Sequence, residues 1–505
     1  MARTRKALIA SFLAYIQFAA GIAVTLVSVP LTIDRLGARL YGIWLASGEA
    51  LAYVAFLDFG ILGILPWMVA EADGRGDRNE IRRLLVHGLA AGAIAGLAAV
   101  AVGAAGWMLF SVRLSAADRA ALAGPFLLLM GLTAVTSPLW VFAAVLGGLQ
   151  DAAFNGVVGV ARAIASGALT IGLLLAGAGL YALALGAVVP ALVVLLASAF
   201  RLTRIAPDLL RGWAFPSAAG LKHLVREGLG GWIGAFGWRL INAGHNVVIA
   251  YLGLPELVPV YACTSRLGQL LTQLGWVVPD SGAVGLAQLQ GQGRRDRVRT
   301  IVDSMLRLYV LVGGSVAAAV LAFNPAFVTA WVGAELFGGA SLNGLLAAGA
   351  VVAALTHGLS VAVSVLGERL KIGIAVLAQG GLQVAFAVLL GPAAGLNGVA
   401  IAALASAALT VLPAGAALLD RATGVSARAL VRDLAPLLAK RTVPVLAVGY
   451  AIGIATSGQI WLAGVLTAAI GLLYLWLHRP MYESLTVDDR VRRVLVRLRL
   501  LPVSA

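Results

Sequence analysis

Cysteine is nearly absent: Cys263 stands alone, so no intrachain disulfide can form and no cysteine-based zinc site exists. Charge is scarce as well. Only 12% of the 505 residues are Asp, Glu, Lys or Arg, against 61% hydrophobic, which leaves too little polar surface to cover a water-soluble particle of this length. Acidic residues are the rarer sign, 22 against 37 basic, for a formal net charge of +15. The five histidines form no His-Glu-x-x-His pair, and no Gly-x-x-x-x-Gly-Lys-Ser/Thr run occurs, so zinc hydrolysis and ATP hydrolysis lack their usual signatures. No cofactor and no metal is expected.

What is present is a succession of long apolar runs and 61 glycines, the small residues that let membrane helices approach closely. The runs predict an all-α integral membrane protein with about fourteen spans, near 7–33, 41–70, 84–111, 120–149, 157–177, 181–200, 228–252, 257–282, 304–332, 340–366, 372–391, 397–418, 442–457 and 460–477. The first run is too long for a signal-peptide core and reads as a retained helix. With the N-terminus in the cytoplasm, the outer loops hold only Arg35, Arg39, Arg113 and Arg119, and Arg162, Arg239, Arg266 and Arg307 fall inside spans. The remainder of the 37 basic residues lies in cytoplasmic segments. This asymmetry puts both termini in the cytoplasm and explains the basic charge without nucleic acid.

The chain also repeats itself. Leu36-Gly37 matches Leu252-Gly253, Gly74-Arg75-Gly76 matches Gly291-Gln292-Gly293, and Gly179-Leu180 matches Gly395-Leu396, all 216 or 217 residues apart. A repeat of six spans enters the membrane twice in the same orientation. The expectation is therefore two parallel six-helix lobes, 1–212 and 213–424, around a central cavity. An appended helix hairpin with a basic amphipathic tail, 425–505, completes the chain. In that tail Thr486 and Asp489 can make a capping box, while Val487, Val491, Val494, Leu498 and Leu501 form an apolar stripe suited to the inner leaflet.

Val29-Pro30-Leu31, Leu36-Gly37, Tyr41-Gly42-Ile43-Trp44, Leu57-Asp58-Phe59-Gly60 and Gly74-Arg75-Gly76-Asp77 together resemble the opening of Wzx-type polysaccharide flippases. These belong to the multidrug/oligosaccharidyl-lipid/polysaccharide exporter superfamily. Gly395-Leu396-Asn397-Gly398-Val399-Ala400 resembles that family's second-lobe signature. The resemblance implies a multi-pass protein of the bacterial inner membrane that is not an enzyme. It implies transport of a polyprenyl-diphosphate-linked oligosaccharide to the outer leaflet by alternating access, beside membrane lipids and glycan assembly enzymes. It also implies a cavity in which arginines meet the diphosphate.

Buried charge supplies the candidate site. Arg239, Asn242 and Asn246 share one helical face at i, i+3, i+7, and Arg266, Gln269 and Gln273 repeat that spacing. Guanidinium forks suit phosphate oxygens, so Arg239 and Arg266 are candidate diphosphate ligands, with Arg162 and Arg307 as secondary contacts or snorkelling residues. The alternative is pairing with the few intramembrane acids, Glu49, Asp58 and Asp280. Glu49 can serve ion coupling or a bridge to Arg239 or Arg266; Asp58 reads as structural, near a helix break. A multidrug exporter of the same superfamily would favour acidic groups in the cavity. A glycan polymerase or ligase would require larger outer loops than the eight residues or so near 112–119.

Overall fold

The computed structural model describes residues 2–211, 215–291 and 295–483. The amphipathic tail expected at 486–501 lies outside the described residues. Within them the chain is helical and no strand is present. Six helices make the first part: α1 (Ala2–Val54), α2 (Ile61–Gly74), α3 (Arg78–Ser111), α4 (Ala116–Gly148), α5 (Ala152–Leu175) and α6 (Tyr181–Ile205). They are followed by α7 (Ala218–Tyr251), α8 (Leu257–Gly291), α9 (Arg295–Val332), α10 (Gly339–Val365), α11 (Arg369–Leu409) and α12 (Val411–Thr423). The last part holds α13 (Ala427–Leu437), α14 (Val443–Ala455), α15 (Ile460–Leu477) and the short α16 (Arg479–Glu483).

Ten stretches among the described residues are long and apolar enough to cross a membrane. Arg369–Thr423 carries two of the expected spans and Phe12–Gly48 carries one and the start of the next, joined across a single non-helical glycine at Gly395 and Gly37 respectively. α7 and α8 are long enough but less apolar, because they carry the polar residues of the candidate site. The fourteen-helix membrane architecture therefore stands. Large side chains such as Trp461, Leu97 and Leu472 are exposed, as lipid-facing positions require.

The repeat is visible in the backbone. Gly37 and Gly253 have φ of 77° and 82°, and Gly179 and Gly395 have 61° and 56°, the left-handed region that L side chains avoid. A further matching pair lies at the α4–α5 and α10–α11 junctions. Asp151 N–H donates to Leu146 C=O and Gln150 N–H to Gly147 C=O. In the same pattern, Glu368 N–H donates to Val363 C=O and Gly367 N–H to Ser364 C=O. Both are Schellman closures, with Gln150 and Gly367 at positive φ.

The second expected span departs from one continuous helix. A 3-10 turn at Ala55–Asp58 interrupts it, and Phe59 and Gly60 adopt φ of 52° and 78° before α2 begins. Asp58 explains the restart: its carboxylate accepts from Gly60 N–H at 3.0 Å and Leu62 N–H at 3.1 Å, capping α2. Trp232 Nε1 donates to Phe56 C=O at 2.6 Å, and its indole lies 5.6 Å from the Phe59 ring. Gly60 packs on Gly228 so closely that a Cβ would sit 2.8 Å from the Gly228 carbonyl oxygen. The Leu-Asp-Phe-Gly motif thus builds a helix break, and Asp58 is structural.

Two compact units divide the chain: residues 1–232 with 253–256, and residues 233–252 with 257–505. In the first, Ile61, Leu65 and Val69 present one face of α2 to Leu84 and Leu85 of α3 and Val141 and Val145 of α4. Glycines four residues apart bring α3 onto α4: a Cβ at Gly92 would lie 2.7 Å from Pro138 Cα, and one at Gly96 2.6 Å from Ala134 C=O. At one end of this unit Arg39 binds the Asp118 carboxylate at 3.1 Å and reaches Glu256 at 3.3 Å. In the second unit, Tyr309, Met305 and Val302 of α9 pack with Ala354 and Leu359 of α10, Ile372 and Val376 of α11, and Val411 and Leu419 of α12.

Candidate functional site

The second unit encloses a cavity of about 460 Å³ whose wall is drawn from α7 to α12. α7 contributes Trp238, Asn242 and His245. α8 contributes Tyr261, Thr264, Ser265, Gln269, Thr272, Gln273 and Trp276 along successive turns. Thr356 and Ser360 come from α10, and Gln379 and Gln383 from α11. Among the described lining residues there is no Lys, Arg, Asp or Glu. The wall is made of amides, hydroxyls, indoles, the His245 imidazole and aliphatic groups.

α7 and α8 are held side by side by aromatic contacts. His245 lies on Tyr261 with ring centroids 4.6 Å apart, and Trp238 meets Trp276 edge-on at 5.7 Å. Several polar groups are already engaged: Asn242 Nδ2 donates to Trp238 C=O at 2.8 Å, Gln269 Nε2 to Ser265 Oγ at 3.2 Å, and Gln383 Nε2 to Ile241 C=O at 2.9 Å. Thr264 is fixed from three sides. Its carbonyl accepts from Asn324 Nδ2 at 2.7 Å, while its hydroxyl donates to Val260 C=O and accepts from Gly338 N–H.

Other groups are not satisfied by the protein. The amide oxygens of Gln379 and Gln383 are buried and have no hydrogen-bond partner among the described residues, although both residues line the cavity and are only 4% exposed. A buried acceptor left unmade costs free energy. Two of them, one turn apart on α11 and beside a cavity, suit a ligand that brings donors.

At the Trp276 wall sits a second cluster. His357 stacks on Trp276 with centroids 3.8 Å apart and planes within 4°, and meets Trp238 edge-on at 5.7 Å. Its Nε2 lies 3.0 Å and 3.3 Å from the two carboxylate oxygens of Asp280. The hydroxyl of Tyr309, which is fully buried, donates to the same carboxylate. Gly358 makes room for that tyrosine, since a Cβ there would run into its ring.

The sequence-predicted residues divide between these places. Asn242, Gln269 and Gln273 line the cavity. Arg239 and Arg266 are half-buried on α7 and α8, next in sequence to the lining residues Trp238 and Ser265, and are not themselves among the lining residues. Asn246 is buried, its side-chain oxygen without a partner among the described residues. Arg162 is half-buried on α5, and Arg307 bonds Asp303 one turn back at 2.7 Å. The Glu49 side chain lies outside the described residues. Sequence reasoning missed Trp238, Trp276, His357 and Tyr309, which carry no charge pattern. It also missed Gln379 and Gln383, whose i, i+4 spacing in an apolar helix repeats that of Gln269 and Gln273.

No family model matches the sequence, and no curated protein matches it. Solved structures do match. The lipid II flippase MurJ, in an inward closed conformation, aligns at a TM-score of 0.67 and 12% identity over 94% of this chain and 99% of its own. A multidrug resistance MATE family transporter in an inward-facing conformation aligns at 0.60 and 17% identity, over 81% of this chain and 94% of its own. A transporter from Pyrococcus furiosus, described by the reverse polarity of its binding pocket, aligns at 0.53 and 16% identity, over 83% and 94%. At these identities the likeness is one of fold: this chain has the fold of the MOP transporter superfamily.

Proposed function

We propose that this chain is a flippase that moves a lipid-diphosphate-linked oligosaccharide from the inner to the outer leaflet for surface polysaccharide biosynthesis, by alternating access. The observation that carries the reading is the uncharged lining of the cavity. Hydroxyl-rich sugars offer donors to the Gln379 and Gln383 oxygens and acceptors to amide N–H groups, and their apolar ring faces suit Trp238 and Trp276. An organic cation would gain nothing from amide oxygens that a carboxylate would not supply better, so the multidrug-exporter alternative is less well served. A glycan polymerase or ligase has no support in these residues.

In this reading Asn242, Gln269 and Gln273 bind the sugar headgroup, and Arg239 and Arg266 meet the diphosphate beside it. Arg162 acts as a secondary phosphate contact. The lobes are 1–212 and 213–424, the remainder forming the appended hairpin, with the protein in the bacterial inner membrane and both termini in the cytoplasm. The test is complementation of a bacterium lacking its own polysaccharide flippase, scored by surface glycan and by lipid-linked intermediates. Gln379→Leu with Gln383→Leu should cut surface glycan at least tenfold at unchanged protein abundance. Full complementation by that double variant would remove the cavity from the transport path.

A further inference from the structure

Three side chains far apart in sequence, Asp280, Tyr309 and His357, converge beside the cavity, and the substrate reading above gives them no task. The carboxylate only accepts, so the hydrogen between it and His357 belongs to Nε2; the assignment follows from the partners. Tyr309 donates to the same carboxylate. The neutral imidazole then carries its lone pair on Nδ1, an atom that is buried and has no partner among the described residues. With the imidazole neutral, the carboxylate–imidazole pair carries a net charge of −1.

We propose that Asp280, His357 and Tyr309 form a proton-binding site whose occupancy is transmitted to the cavity wall through Trp276, giving the transporter a proton-coupled step. A proton from the aqueous phase adds to His357 Nδ1, the pair passes from −1 to 0, and release returns the proton with no other bond made or broken. The new Nδ1–H has no acceptor in the described arrangement, so uptake favours a different packing of the imidazole. That ring lies flat on Trp276, which lines the cavity. Occupancy of one site therefore biases the shape of the other.

The surrounding titratable groups leave the cluster distinct. α10 has no other charged residue. On α9, Asp303 and Arg307 bond each other. His245 of α7 lies against Tyr261 of α8, about five turns from Asp280 along α8, and both line the cavity. Besides His245, α7 carries Lys222, His223, Arg226 and Glu227 near its start and Arg239 further along, and Arg266 is the one cation of α8. Lys371 of α11 bonds Glu368, and Asp420 and Arg421 of α12 are exposed.

The inference rests on the transporter reading, so its test uses no substrate. Tryptophan fluorescence of the purified full-length protein in lipid nanodiscs is followed from pH 8 to pH 5, because protonation of a stacked imidazole changes the emission of its indole. Wild type should show a reversible step, and His357→Gln should lose it. Asp280→Asn deletes the charge that the imidazolium faces, so the step should move to lower pH by about one unit. Should His357→Gln not fold, Trp276→Phe removes the reporter and keeps the histidine, and it too should lose the step. A step that survives unchanged in either folded variant overturns the proposal, as does a wild-type response to sodium at fixed pH with none to protons. Failure here leaves the glycan reading intact, since complementation tests that separately.

Discussion

Asp58 and Asp280 invite comparison. Each is an aspartate late in the second helical stretch of its sequence repeat. Asp58 is held by two backbone N–H groups, at 3.0 Å and 3.1 Å, which can neither titrate nor rotate away. Asp280 is held by an imidazole and a phenol, which can do both. The same residue type is committed to backbone geometry in one unit and left to side-chain chemistry in the other. The identity of the donors is what sets the two aspartates apart.

The comparison can be broken first at the glycine beside Asp58. Gly60 has φ of 78° and a Cβ there would meet the Gly228 carbonyl oxygen at 2.8 Å, so Gly60→Ala is strained twice over. The expected loss is about 2–4 kcal/mol, read as a fall in thermal stability and abundance. A wild-type melting temperature would mean that the break tolerates a side chain. Next in size is Asp58→Ala, which leaves two helix-start N–H groups without their acceptor and should cost about 1–2 kcal/mol. That loss should be the same at pH 6 and pH 8, and the fluorescence step of the second unit should persist. A step abolished by Asp58→Ala would erase the distinction between the two aspartates.

Much of the fold was legible because its signals are local. Leu36-Gly37 and Leu252-Gly253 advertise the same turn, and the backbone there is the same to within a few degrees of φ. The Gln150 and Gly367 junctions make the same hydrogen bonds but share almost no side chains, so the sequence conceals that match. The second span looked continuous since Ala55–Asp58 is as apolar as its flanks, although the motif's glycine marked the break. In the site, charge drew the eye to Arg239 and Arg266, while the cavity is lined by neutral groups whose residue types are common throughout the chain. Asn242, Gln269 and Gln273 were found through their helical spacing. His357, 77 residues from Asp280, offers no local pattern, and only packing brings the two together.

The central claim is that the uncharged cavity carries a lipid-linked glycan. The most direct measurement is leaflet exchange of a fluorescent polyprenyl-diphosphate oligosaccharide in proteoliposomes, read by quenching from outside. The account predicts exchange by the wild-type protein. It predicts at least a tenfold slower rate for Asn242→Ala combined with Gln269→Ala and Gln273→Ala, with little change in thermal stability because these side chains are exposed or half-buried. Exchange at the wild-type rate by that triple variant, or a wild-type protein that moves an organic cation and leaves the glycan lipid in place, would contradict it.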